Sequence, residues 1–96
     1  QMNTVMNTRE KINILERRQL ELKAEMQKSD EHALKCAKSG LNFQETYPED
    51  WTSYETSRKE YNKNERVLTG LYDQLATEEE AAKTAMMSSM ANGMEA

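Results

Sequence analysis

His32 and Cys36 are the residues of this chain best suited to bind a metal ion. They lie four residues apart in a helix-favouring segment, so both fall on one helix face and could supply two ligands to zinc. The chain has no second histidine or cysteine, and further ligands would have to come from carboxylates such as Asp30 and Glu31. Because two ligands do not make a tetrahedral site, we predict no metal site, an inert cysteine and a solvent-facing histidine.

Two groups of carboxylates could serve as acid–base pairs or cation ligands. The run Glu78-Glu79-Glu80 lies in a helical stretch, where consecutive side chains point in different directions and do not converge on one ion. Glu49 and Asp50 suit the first turn of a helix, where negative charge stabilises the positive end of the dipole. Two thin helices also offer no enclosed pocket for a serine or cysteine nucleophile. The sequence therefore predicts a non-enzymatic protein without a cofactor.

The elements that position these residues are separated by a cluster of helix breakers. Residues 39–51 (SGLNFQETYPEDW) contain the single proline and one of the three glycines. Gly40 suits the left-handed residue that ends a helix, and Thr46-Tyr47-Pro48-Glu49 matches a capping box with proline in the first turn.

The fold expected from this division is all-α, with one domain. We predict an antiparallel two-helix hairpin that pairs into a four-helix bundle or a larger helical assembly. Its parts are helix 1 (about 4–39), an aromatic bend (40–47), helix 2 (about 48–86) and a frayed tail (87–96).

Apolar residues recur at helical spacing and define the expected seam between the helices. Gln19 interrupts the stripe of helix 1, and after Met26 the stripe shifts by one residue, which we interpret as the drift of a straight helix. Gly70 lies in the densest apolar turn of helix 2 and is expected to mark a close helix approach. The predicted seam residues are Val5, Ile12, Leu15, Leu22, Met26, Leu68, Leu71, Tyr72 and Leu75.

Five of the six aromatic residues lie in the bend or shortly after it, and they are the candidate partner-binding residues. One interpretation is structural, with rings forming a small core that closes the end of the bundle. The other is a binding hot spot, since tyrosine and tryptophan bury large areas and keep a polar tip. A ring packed across a dimer interface would serve both roles. The five residues are Phe43, Tyr47, Trp51, Tyr54 and Tyr61.

The composition allows only a thin core. Charged residues make up 31% of the 96-residue chain, and Leu, Ile, Val and Phe together number 13, although seven methionines add adaptable apolar side chains. A single pair of helices leaves one side of each apolar stripe exposed to water. We therefore expect a homo-oligomer, with a dimer favoured, or a complex with another helical protein.

Charge and hydropathy limit the other partners. Residues 1–46 sum to +1 and residues 47–96 to −5, which favours pairing of the halves. No basic run is longer than a doublet such as Arg17-Arg18, which disfavours nucleic-acid binding. No apolar run is long enough for a membrane span, and the first residues lack a secretory-signal pattern. A single cysteine cannot form an internal disulfide. We expect the cytoplasm or another soluble compartment, with secretion without a cleavable signal left open.

Short segments near the bend resemble two families. Trp51-Thr52-Ser53 is similar to the Trp-x-Gly turn of small secreted helical-hairpin proteins that dimerise, although Ser53 replaces the glycine. Pro48, Tyr54 and residues 60–62 resemble the start of the second helix in type III secretion needle subunits. These matches imply a helical hairpin and assign no functional residue.

Three functions follow as hypotheses. The first is a protein–protein interaction or assembly module that acts through helix-face packing and the aromatic bend. The second is a small helical subunit or chaperone of a secretion apparatus or phage-like particle. The third is a small regulator that responds to metal or nucleic acid.

Overall fold

The protein is a set of four α-helices without a strand in the range that the structure describes. The computed structural model describes residues 6–95, with side chains placed for residues 6–90. The helices are α1 (Thr8–Gln27), α2 (Asp30–Ser39), α3 (Phe43–Thr46) and α4 (Pro48–Glu95). The predicted all-α class is confirmed.

The molecule is long and thin. Its radius of gyration is 22.2 Å, whereas a compact domain of this length has a radius near 12.5 Å. The principal extents are 77 × 37 × 15 Å, and the smallest is close to the diameter of one helix with its side chains. The helices therefore form a single layer with little interior, and the buried apolar side chains of the described residues are Ile12, Leu22, Cys36 and Leu68.

Helix α1 lies antiparallel to the middle of α4. Near the end of α1, the Ser57 hydroxyl donates a hydrogen bond of 3.0 Å to the Glu25 carboxylate. At the beginning of α1, the Thr8 hydroxyl donates one of 2.9 Å to Glu78. Residue numbers along α4 therefore increase in the direction in which those along α1 decrease.

Polar side chains are buried between α1 and α4. Gln19 is 7% exposed, and its Nε2 donates hydrogen bonds to the backbone oxygen of Tyr61 at 3.0 Å and to Glu65 at 3.1 Å. Its Oε1 atom and the Nδ2 atom of Asn64 are buried without a protein partner. Unpaired buried polar atoms cost stability, so this interface is weaker than a fully apolar one.

The predicted continuous helix 1 is wrong, because the chain forms two helices that break at Lys28 and Ser29. The two amides there bond three residues back, to Glu25 at 3.3 Å and Met26 at 3.1 Å, which closes α1 with a tight turn. Asp30 and Glu31 then supply the acidic first turn of α2. The stripe shift after Met26 therefore marks this break and not the drift of a straight helix.

The start of α1 also differs from the predicted start near residue 4. Asn7 is the N-cap, and its side chain accepts a hydrogen bond of 2.9 Å from the backbone N–H of Glu10. This capping fixes the first helical residue at Thr8. Val5, a predicted seam residue, lies outside the described residues.

The bend contains its own short helix. Gly40 ends α2 in the predicted left-handed conformation, with φ of 68°, and the Asn42 side chain caps α3 by accepting from the Glu45 amide at 2.9 Å. Pro48 opens α4 as expected. The capping box predicted at Thr46 does not form, because Thr46 is the last residue of α3 and Tyr47 lies between the two helices.

Helix α4 continues to Glu95, although helix 2 was expected to end near residue 86 and leave a frayed tail. Residues 76–91 are rich in Ala, Glu and Met, which are strong helix formers. Every residue from Ala76 to Met90 is exposed. We call residues 80–95, which extend past the beginning of α1, the arm.

Gly70 does not mark a close helix approach. It is exposed, and a Cβ atom added to it would meet nothing within 4 Å.

Among the described helices, none combines the length and apolar character needed to cross a bilayer.

Candidate functional site

Three aromatic rings pack together where α2, α3 and the first turns of α4 meet. The Phe43 ring lies 6.4 Å from the Tyr47 ring at an interplanar angle of 60°. It also meets Tyr54 edge-on, at 6.5 Å and 61°. All three side chains are half-buried, so the rings form a small cluster that keeps part of its surface open to solvent.

His32 completes this cluster and contradicts the prediction of a merely solvent-facing histidine. Its ring stacks on Tyr47 with the centroids 4.0 Å apart and the planes within 8°. Its Nδ1 atom is hydrogen-bonded to the Asp50 carboxylate. The imidazole therefore joins α2 to the first turn of α4, and we define the bend cluster as His32, Phe43, Tyr47 and Tyr54.

The sequence carried a signal for this contact. Ser29, His32 and Cys36 follow each other at spacings of three and four residues and so share one face of α2. Ser29 is buried and its hydroxyl donates a hydrogen bond of 3.4 Å to the backbone oxygen of Asp50. The Cys36 side chain is 1% exposed. Ser29 and His32 on this face both bond to Asp50 in the first turn of α4.

Trp51 and Tyr61, the remaining candidates, lie outside the bend cluster. Trp51 is half-buried and forms no ring–ring pair with another aromatic residue in the described part of the chain. Tyr61 instead borders a groove on one side of the α1–α4 interface, next to Leu20, Leu68 and Tyr72. The structure thus assembles three of the five predicted aromatic residues into one site.

The surface beside the bend cluster is shallow. His32, Tyr47, Pro48 and Asp50 border an open depression of about 270 Å³. The histidine–aspartate pair resembles a catalytic base with its orienting carboxylate, but an open depression does not exclude water from a reacting group. What it offers is an aromatic face with hydrogen-bonding groups at its edge, which suits recognition of another surface.

The predicted seam residues line the α1–α4 interface to different degrees. Leu22 is fully buried, and Ile12 and Leu68 are 6% and 3% exposed. Leu15, Met26, Leu71 and Leu75 are half-buried. Tyr72 is 45% exposed, and its hydroxyl donates a hydrogen bond to Glu16 across the interface.

A charged cluster closes one side of this interface. Arg18 donates two hydrogen bonds to Glu60, from Nε at 2.7 Å and from Nη2 at 2.9 Å, and a third to Glu21 at 3.0 Å. The hydrogen bonds from Arg18 lower the pKa of Glu60, and those to Glu60 and Glu21 raise the pKa of Arg18. This cluster orients α1 against α4.

Large apolar side chains remain in water on several faces. They lie on the two sides of the α1–α4 layer, on α2 and its following turn, and along the arm. In the described residues no group of three or more His, Cys, Asp or Glu side chains is placed to hold a metal ion. The exposed apolar residues include Ile14, Leu20, Leu34, Leu41, Val67, Met86, Met87 and Met90.

Comparison with known proteins gives no relative. No protein-family model matches the chain, and no match was found among curated proteins or solved structures. The two short resemblances near the bend therefore do not extend to a family.

Proposed function

We propose that this protein is a non-enzymatic interaction and assembly module. In this account α1 and α4 act as an antiparallel hairpin whose open faces pack against a second copy or another helical protein, forming a helical bundle. The bend cluster and Trp51 supply the aromatic part of the contact. No nucleic-acid or membrane contact is required.

The observation that carries the proposal is the thinness of the layer. With a smallest extent of 15 Å, the fold buries one stripe of each helix and leaves Ile14, Leu20 and Val67 in water. A second helical layer would cover these residues and remove apolar surface from water. Exposed apolar residues arranged along helices are the usual means by which such faces recognise each other.

The aromatic residues near the bend contribute a second contact. Phe43 is held by two neighbouring rings, so this part of the cluster is internally packed. Trp51 has no ring partner among the described residues and is only half-buried. Because tryptophan is enriched at the centres of protein interfaces, Trp51 is the ring that we assign to the partner.

The elongated shape favours a second form of the same proposal, a small subunit or chaperone of a larger particle. A 77 Å rod with an aromatic bend at one end and an arm at the other suits a repeated element of a helical assembly. A subunit of this kind would assemble on its own, whereas a chaperone would bind a client with a fixed ratio.

The test compares Trp51→Ala with Tyr54→Ala. Trp51→Ala should reduce self-association or partner capture at least tenfold, and as a monomer it should keep the helical circular dichroism and the melting temperature of the wild-type monomer. Tyr54→Ala removes a packed ring and should lower the melting temperature as well. If Trp51→Ala keeps the mass and the captured partners of the wild type, the aromatic bend is only a structural plug and its role in the proposal is wrong.

A further inference from the structure

Methionines are concentrated in the sequence of the arm, at the end of α4 farthest from the bend. Four of the seven occur in residues 86–94. Thr8 and Arg9 at the start of α1 bond to Glu78 and Glu79, and no hydrogen bond or ion pair joins a described α1 residue to α4 beyond Glu79. Met86, Met87 and Met90 on the arm are 65%, 61% and 62% exposed.

The arm is also uncharged along most of its length. Residues 84–94 (TAMMSSMANGM) contain no charged side chain, and this is the longest such run in a chain that is 31% charged. Elsewhere the exposed surfaces of α1 and α4 mix both signs, and the net charge of −4 makes two copies repel each other. The arm is the surface on which two copies can meet without opposing like charges. A second copy brings the same uncharged face, so neither copy buries a charge in the contact.

The methionine spacing gives the contact a self-complementary geometry. Met87 and Met90 are three residues apart, so their side chains lie next to each other on one helix face. In an antiparallel pair, Met87 of one copy lies against Met90 of the other, and the twofold axis repeats the contact. Flexible thioether side chains fill such a contact well.

The helical state of the arm also calls for a covering surface. Its 16 residues, 80–95, are about 24 Å long at 1.5 Å per residue. The arm continues α4 and needs no helix nucleus of its own, but helices in proteins gain most of their stability from packing an apolar face. Every residue from Glu80 to Met90 is exposed in the single chain.

We propose that the arm is a dimerisation surface, and that two copies join end to end through antiparallel pairing of their arms. This inference rests on the proposed function, because it names the face through which the interaction module associates with itself. It places the two bends at opposite ends of one particle. The sides of the α1–α4 layer and both bend clusters then stay free for a different helical partner.

The test uses the full chain in light scattering and small-angle X-ray scattering. Two 77 Å rods that overlap along their arms should give a dimer with a maximum dimension of roughly 130 Å. Met87→Glu/Met90→Glu should raise the dimer dissociation constant at least tenfold. Ala85→Glu/Ser88→Glu is the matched control, since it adds the same charges at the same spacing on the opposite face of the arm, and it should remain a 130 Å dimer.

The outcomes separate this inference from the proposed function. A wild-type dimer near 80 Å long would mean side-by-side pairing, which overturns the arm contact and supports the interaction module. Equal weakening by both double variants would also overturn the inference, because a general loss of helix would explain it. A wild-type chain that stays monomeric at every concentration overturns the arm contact, and capture of a partner that depends on Trp51 would still support the proposed function.

Discussion

Arg18 on α1 holds Glu60 on α4 through two hydrogen bonds, 2.7 Å from Nε and 2.9 Å from Nη2. The Arg18 guanidinium also donates a hydrogen bond to Glu21, one turn further along α1. It therefore links α1 to α4 and to the next turn of α1. Both partners are partly exposed, with 37% and 38% of their side-chain surface in water. Such a pair contributes more to the alignment of the helices than to their stability.

The pair predicts a specific pH dependence. Hydrogen bonding to Arg18 lowers the pKa of Glu60 below its usual value of 4.5, so the contribution to stability is present above that usual pKa. It is lost as the pH falls through the lowered pKa of the folded state. Arg18→Ala should therefore reduce the free energy of unfolding at neutral pH by a small amount, and the difference from wild type should vanish in acid. Urea unfolding across a pH series measures it.

Arg17→Ala is the control for this prediction, because Arg17 is the neighbouring exposed arginine. It should leave the pH dependence unchanged. The free energy of unfolding of Arg18→Ala could instead differ from that of wild type by the same amount at neutral and acidic pH. That result would show that the effect comes from lost packing of the arginine stem and not from the ion pair.

The hydrogen bond of Tyr72 predicts a loss of stability at alkaline pH, whereas the Arg18–Glu60 pair predicts one in acid. Donation of its hydroxyl hydrogen to Glu16 raises the pKa of the phenol above its usual value of 10.0. A group whose pKa is raised by folding stabilises the protein at pH values below its unfolded-state pKa. This contribution is lost as the pH rises through its folded-state pKa. Tyr72→Phe should therefore remove part of the alkaline decline in stability. Tyrosinate absorbance should show one late-titrating tyrosine in the wild type, and its persistence in Glu16→Gln would contradict the assignment.

Two glycines in helical surroundings should respond in opposite directions to alanine. Gly70 lies inside α4 with open space around it, so Gly70→Ala should raise the free energy of unfolding by about 1 kcal/mol. Gly40 has a φ of 68°, and Gly40→Ala should cost about 1 kcal/mol because a Cβ atom strains the left-handed conformation. Thermal and chemical unfolding of both variants check the pair. A stabilising Gly40→Ala would mean that α2 does not end there.

Two leucines of α1 test which face of the helix is packed. Leu22 is 0% exposed and Leu20 is 69% exposed. Leu22→Ala should lower the free energy of unfolding by about 3 kcal/mol, since it removes a buried side chain and leaves a cavity. Leu20→Ala should change it by less than about 0.5 kcal/mol in the monomer. Similar losses for both variants would place Leu20 in an interface between copies.

The sequence predicted the all-α class and the two ends of the bend because those features depend on local signals. Gly40 and Pro48 restrict their own backbone, so their roles do not require knowledge of distant contacts. The break at Ser29 was missed because a one-residue shift of an apolar stripe fits both a straight helix and two helices. Only packing against α4, through the Asp50 backbone oxygen, distinguishes them.

The candidate site was predictable only in part for the same reason. Aromatic residues concentrated near the bend indicated Phe43, Tyr47 and Tyr54, whereas spacing alone did not separate them from Tyr61. His32 joins the cluster through a break in the first helix that sequence reasoning did not include. The sequence predicts a frayed tail from residue 87 onward, because the small and polar residues there carry no apolar stripe as clear as those of the seam.

Light scattering with circular dichroism over a dilution series tests most directly the claim that this is a self-associating interaction module. We predict a mass of twice the 11.1 kDa chain at high concentration, and a fall toward the monomer mass on dilution with a parallel loss of helicity, because the exposed helix faces lose their cover. A mass of 11.1 kDa with unchanged helicity at every concentration would contradict the claim.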